Sequence, residues 1–463
     1  MPKIPMEFAS GSFPSFDEAV LDGKLAARFY DGYEDDTGVK YKRPGLTAFS
    51  TSAIETPVQG VFWSEFLGCF IAVGNGKLYK VTTAGVVSAI TGVTLNQHLP
   101  ARFVENGTLV YVTAGARMVT TDGITAAFVT DVAAPTATTH LAWIDGHVLT
   151  NQANSMFFWW ADVATGEWNE NNSESVNANI DKLVALDAGW RELLLFGTRS
   201  TEIWYNTGET PGTFQRMEGA YIERGCSAPY SVIMADNTWF WLDHERAFIR
   251  LDGRNPKVVS QPVNTLLRDL PDVSDLVTSH FQYQNRRFLL LSSRSNNFTL
   301  VYDYPKDAWY QWGVWNDEMA QYDRWPVHSA TFSTVSSGYV LLGDDGYLYT
   351  LSGEASDARF CLRSSHISHQ TYDWKLCLGL QVRLKRGYVT DLTSPAFRVR
   401  WRDQNGQWGN WHSLPLGNMG EYNTVSELFR CGRYRTRQYE FVQTDTAPFA
   451  FVGAVEDIEG IDV

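Results

Sequence analysis

Seven times along this chain a short apolar run meets a short polar turn and then a second apolar run. The segments read CFIAVGNGKLYKV (69–81), TLVYVTAGARMVT (108–120), HVLTNQANSMFFWWAD (147–162), LLLFGTRSTEIWY (193–205), TWFWLDHERAFIRL (238–251), FLLLSSRSNNFTLVYDY (288–304) and YVLLGDDGYLYTL (339–351). Their turns recur every ~40–50 residues, the period of propeller blades. Runs such as LLLF (193–196), FLLL (288–291) and YVLL (339–342) are apolar without alternation. That pattern suits strands buried on both faces, as in sheets stacked radially about an axis. A sandwich built from these hairpins would leave one face of each sheet wet and would alternate. The expectation is an all-β fold with a six- or seven-bladed β-propeller over residues 56–355. Asn75-Gly76 and Asp345-Gly346 supply tight turns. Asp162 and Asp303 each precede a Trp by six positions (Trp168, Trp309), a spacing that suits a turn carboxylate and a ring returning to the core.

The flanks of the repeat differ from it. Residues 1–55 carry an acidic cluster (Asp31, Glu34, Asp35, Asp36), then Lys40, Lys42 and Arg43. They read as an extended arm, or as a first irregular piece of the propeller, with a short helix in DEAVLDGKLAARFYDG (17–32). Residues 166–182 are polar and read as a long loop; residues 261–279 place Leu266, Leu267 and Leu270 at helical spacing. Residues 356–463 read as a separate β-sandwich that could serve oligomerisation.

Net charge is −14, which makes the chain a poor general binder of nucleic-acid phosphates. The same sign would let DNA slide past a surface without sticking. Against that background, residues 373–439 carry eleven Lys or Arg and five acids. The candidate interface residues are Arg383, Lys385, Arg386, Arg398, Arg400, Arg402, Arg433, Arg435 and Arg437. They either meet a partner or pair with acids of the same subunit. The five Cys include no C-x-x-C pair and read as buried thiols of a reduced compartment. No signal peptide or apolar span is evident.

Chemistry is sparse. No H-E-x-x-H, G-x-S-x-G or P-loop pattern occurs. His366 and His369 sit three apart in an apparent strand, on opposite faces, which argues against a metal. Glu223-Arg224 and Asp243-His244-Glu245-Arg246 fall at turns or strand ends, where ion pairs are common. The expectation is no enzyme, no catalytic residue, no cofactor and no metal. A glycan- or receptor-binding propeller is the alternative, with Trp159, Trp160, Trp312 and Trp315 as groove candidates.

The succession Pro44-Gly45, GNGKLYK, NANIDKLVALDAGWRELLLFGTRSTEIWYNTG (177–208), YIERGCSAPYSV (221–232), PVNTLLRDL (262–270), QNRRFLLLSSRSNNFTLVYDYPKDAWYQW (284–312) and RTRQYEFVQTDTAPFAFVGAVEDIE (435–459) resembles the packaged-DNA stabilisation proteins of short-tailed phages, the tail hub or nozzle proteins. The resemblance implies a structural virion protein, assembled in the host cytoplasm. It implies a six-fold ring below the portal and its head-to-tail adaptor that prolongs the DNA channel and helps retain the genome. Tail fibres or spikes and a distal plug or needle would dock on it. It supplies no catalytic residues and no membrane-spanning segment.

Overall fold

The computed structural model describes residues 3–6, 8, 11–12, 14, 26–163, 165–176, 181–210, 212–336, 338–354, 358–385, 396–416, 420, 426–445 and 450–460. The chain is all-β and its body is a β-propeller. Seven four-stranded antiparallel units follow one another among the described residues. We number these blades by their first strands: Val58–Ser64 (blade 1), Arg102–Glu105 (2), Leu141–Ile144 (3), Leu183–Gly189 (4), Ile233–Ala235 (5), Val277–Tyr283 (6) and Val327–Ser333 (7). These first strands touch in cyclic order, blade 7 meeting blade 1, so they ring the axis.

Each of the seven repeated segments forms the second and third strands of one blade. Cys69–Gly74 with Lys77–Val81 is the middle hairpin of blade 1, and Gly338–Gly343 with Leu348–Glu354 that of blade 7. Both faces of these strands are buried because neighbouring blades clamp them. In blade 1, Ile71 and Val73 pack with Val110 and Val112 of blade 2. The intervening Phe70 and Ala72 pack with Val340 and Leu342 of blade 7. Blade 4 repeats the arrangement: Leu193 and Leu195 face blade 3, while Leu194 and Phe196 face Trp239 and Trp241 of blade 5. Each such side chain contributes about 1.5–3 kcal/mol on burial.

The last blade is completed from the other end of the chain. Pro44–Ala48 pairs antiparallel with Leu348–Glu354 and becomes the outer strand of blade 7. Other N-terminal strands join sheets built from C-terminal residues. Lys3–Met6 pairs with Ala450–Gly460, and so does Lys40–Lys42, itself hairpinned to Gly32–Glu34. Ala26–Tyr30 lies between Ala308–Gln311 of blade 6 and Phe360–Ser364, which fuses blade 6 and a C-terminal sheet into nine strands. The helix expected over 17–32 is a strand in its described part, Ala26–Tyr30. The charges of the 31–43 segment largely satisfy one another: Arg43 Nε donates to Asp31 at 3.0 Å and Lys40 Nζ to Glu34 at 2.8 Å, all four buried.

Two further segments differ in kind from one another. The expected helix near 261–279 is present as Asn264–Arg268 with a 3-10 turn before it. The polar segment 166–182 is not one loop: Trp168–Ser175 is the outer strand of blade 3. An outer strand has one face and one edge in water, so its polarity conceals its pairing. Asp303 takes the expected turn role, accepting from the Lys306 amide at 3.3 Å, while Trp309 is buried and donates to the Val259 carbonyl at 2.8 Å.

The C-terminal strands form two sheets that share one apolar cluster. One holds Lys375–Lys385 between Ala450–Gly460 and Ser426–Tyr434. The other holds Arg437–Gln443 between Phe360–Ser364 and Ala396–Asp403. The cluster joins Leu380, Phe397 and Phe441 to Phe288, Trp312 and Leu341 of blades 6 and 7, so propeller and C-terminal sheets are one packed body.

Candidate docking surface

The strand Ala396–Asp403 alternates by design of its sequence. Phe397 and Val399 are buried, while Arg398, Arg400 and Arg402 share the other face. Register sets Arg400 opposite Glu440 and Arg402 opposite Gln438. Arg400 makes an ion pair with Glu440, and Arg363 Nη2 reaches the same carboxylate at 2.8 Å. Burial alone would push the Glu440 carboxyl up, but Arg363 and Arg400 hold it below the usual range. Arg402 Nε donates to Gln438 at 2.6 Å.

Tryptophans cover these guanidinium groups. Trp408 lies 5.2, 4.9 and 4.9 Å from Arg363, Arg400 and Arg402, and Trp411 lies 4.3 Å from Arg400. The facing wall comes from a hairpin that follows blade 6, Gly313–Asn316 with Gln321–Arg324. It presents Trp315, with the Arg359 guanidinium 3.5 Å above its ring, and Tyr322, stacked on Tyr30 at 4.4 Å. Between the walls run two adjoining cavities of about 540 and 500 Å3, which share Trp315, Arg359 and Trp411. Arg398 lines the second of them. The result is a cleft with cationic walls and flat aromatic faces, able to take carboxylates, phosphates or stacked rings.

The nine candidate interface residues fall into separate settings. Arg398 and Arg400 line the cleft, and Arg402 borders it beside Trp408. Arg433 and Arg435 are exposed and flank Trp374 at 5.4 and 4.9 Å. Arg383 and Lys385 are exposed on the central strand of the other sheet, where Lys385 Nζ meets Tyr41 Oη at 3.1 Å. Arg386 lies outside the described residues. Arg437 is no surface residue at all. It is buried, makes two bonds to Asp403 at 2.6 and 3.0 Å, and sits 4.1 Å from the Tyr434 ring. Periodicity could not reveal this, because an Arg facing a sheet interior and one facing water occupy the same alternating positions.

Several of the other polar candidates are engaged within the chain. His369 Nε2 lies 2.6 Å from the buried Glu456, which also accepts from Tyr434 at 3.0 Å; its segment is a turn, not a strand. Arg224 bridges Asp243 and Glu245. Trp160 and Trp312 are core, Trp159 is half-buried, and Trp315 alone of the four lines the cleft. All five Cys are buried and free. Among the described residues no group of three or more metal-binding side chains occurs, and no helix is long and apolar enough to cross a membrane. The aromatic cleft was missed in the sequence because Trp408 and Trp411 sit in a loop and Arg359 and Tyr322 in separate elements.

Fold and surface together define a β-propeller protein with a fused C-terminal β-body and a cationic aromatic cleft between them. The chain belongs to the phage family described as "Bacteriophage P22 Gp10, beta-propeller", whose model matches residues 33–356. No curated protein matches it. Solved structures to which it is similar include the streptogramin B lyase structure, with 11% identity, TM-score 0.44, and 66% of this chain and 97% of that one covered. The Pan2 WD40 domain of Neurospora crassa shows 9% identity and TM-score 0.41, covering 69% and 97%. The extracellular domain of BT4673 from B. thetaiotaomicron shows 9% and 0.45, covering 84% and 48%.

Proposed function

We propose that this protein is a non-enzymatic structural component of the short tail: a six-fold hub, or nozzle, beneath the portal and its adaptor ring. It prolongs the DNA channel, helps retain packaged DNA and docks tail fibres or spikes and a distal plug. The observation that carries this reading is the family match over residues 33–356.

The geometry supports it in two ways. First, the axis of a single propeller is no path for DNA. Arg102 of blade 2 donates to the Tyr230 carbonyl at 2.8 Å, and the Tyr230 ring stacks on His140 at 5.5 Å, so side chains cross and obstruct it. The channel then runs between subunits, past acidic outer surfaces that do not hold DNA. Second, a ring needs two different complementary patches per subunit. The exposed Arg383, Lys385, Arg433 and Arg435 and the cleft arginines give the C-terminal body several basic contact points. Their acidic counterpart is the outer edge of blade 3, where Glu167, Glu170 and Glu174 are exposed or half-buried. Electron microscopy of the purified protein, alone and with adaptor-loaded portal, tests this. Six-fold tubes below the portal support the reading; folded monomers that never join it refute it.

A further inference from the structure

The propeller axis holds a second polar cavity that shares no lining residue with the cleft. Its floor, about 200 Å3, lies among the first strands of blades 1, 2, 5, 6 and 7. A mouth of about 310 Å3 adjoins it, with Gln59, Pro100, Val277 and His328 lining both.

Three buried donors on the floor have no protein partner: Arg102 Nε, Thr278 Oγ1 and Ser279 Oγ. Buried polar atoms nearly always find partners, so three around one cavity call for an occupant that accepts hydrogen bonds. The neighbouring Gln59 shows the contrast. Its amide is used up, donating to the Leu99 carbonyl at 2.7 Å and accepting from the Gly76 amide at 2.7 Å. Arg102 is meanwhile fixed in place by its bond to the Tyr230 carbonyl and by the Tyr230 ring at 5.6 Å.

Three arginines surround the cavity, each with an aspartate near it: Arg102 with Asp187, and Arg294 and Arg324 with Asp275 and Asp344. Arg294 and Arg324 line the mouth. The buried His328 imidazole is held well below its ordinary pKa, first by burial and then by Arg294, Arg324 and Arg102, with no carboxylate acting on it. The nearby acids are engaged: Asp344 binds both mouth arginines, Asp275 accepts from Ser293 and Ser295, and Asp187 accepts from Trp239 Nε1 at 3.2 Å. The floor is smaller than the about 300–1,000 Å3 that drug-sized ligands occupy.

We propose that this axial cavity binds one small oxyanion, with Arg102 as its anchor and the Thr278 and Ser279 hydroxyls as further donors. The anion enters past Arg294 and Arg324. A guanidinium and hydroxyl donors lining one desolvated cavity are the chemistry that recognises phosphate or carboxylate oxygens.

Calorimetric titration of the full chain at fixed ionic strength tests this, with inorganic phosphate in one arm, acetate in the second and chloride as the control. Saturable binding above the chloride control is the expected result; the arm in which it appears identifies the oxyanion as phosphate or carboxylate. Arg102→Gln should weaken it about tenfold or more, the loss of one charge-assisted bond. Ser279→Ala, which leaves the Tyr230 contact intact, should weaken it less and guards against a folding defect in the first variant. No saturable binding in either arm, or equal binding by the wild type and both variants, overturns the proposal.

Discussion

At the residue scale, buried charge here works inside the fold. Arg437 has its two Asp403 bonds and three aromatic neighbours, Trp401, Tyr434 and Tyr439. Truncating one partner of a buried pair leaves the other uncompensated, at a cost of about 3–5 kcal/mol. Arg437→Ala should therefore lower the denaturation midpoint strongly, whereas Arg433→Ala, at an exposed site, should change it by less than about 0.5 kcal/mol. Urea melts of both variants would check the contrast. Histidines give a pH signature. The His280 imidazole, between Tyr304 and Tyr339 hydroxyls at 3.0 Å each, is pushed down to about 4, first by burial and then by Arg287. A base whose folded pKa is depressed takes up protons more readily when unfolded. Its stabilising contribution is present above pH ~6.5 and is lost as pH falls towards 4. Asp187 and Asp303, both pushed up to about 6 by burial, act in the opposite sense across nearly the same window. The difference between wild type and His280→Gln isolates the first effect: the thermal midpoint of the variant should fall less on acidification from pH 6.5 to 4.5.

At the element scale, the turns and the ring closure carry the constraint. Asn75 and Gly76 both have positive φ, at 51° and 74°, the conformation a two-residue hairpin requires. Gly346 has φ 87°, and a Cβ there would meet the Ile54 carbonyl oxygen at 2.2 Å. Gly346→Ala combines a left-handed backbone with a clash against the strand connection of blade 1, and should destabilise by about 2 kcal/mol or more. A melt of that single variant checks it. Removing residues 1–48 should be worse, because it strips the outer strand of blade 7 and the strands paired with Ala450–Gly460. The measurable outcome is loss of soluble folded protein; a truncated chain with an unchanged melting profile would contradict this account of closure. The seven middle hairpins were legible because burial on both faces writes an uninterrupted apolar run. The outer strand Trp168–Ser175 was not, since its exposed edge and face permit the polar sequence of a loop.

At the scale of the whole molecule, the proposed ring makes a prediction about charge. Charge reversal at Arg383, Lys385 and Arg386, each to Glu, should impair ring assembly on the adaptor-loaded portal while leaving the monomer folded. Normal tubes from that variant, seen by negative-stain microscopy, would remove those residues from the interface. The sequence by itself determined the all-β class, the repeat and the basic bias of the C-terminal segment. Each is a property of local pattern: apolar runs, turn residues and composition. Only the tertiary structure decided that Pro44–Ala48 completes the last blade and that Ala26–Tyr30 stitches blade 6 to a C-terminal sheet. It alone separated Arg437, spent on Asp403, from the exposed Arg433 and Arg435, and gathered Trp315, Arg359, Arg400 and Trp411 around one cleft. These are contacts between residues far apart in the chain. What a side chain touches across such distances depends on register and packing, which no local pattern encodes.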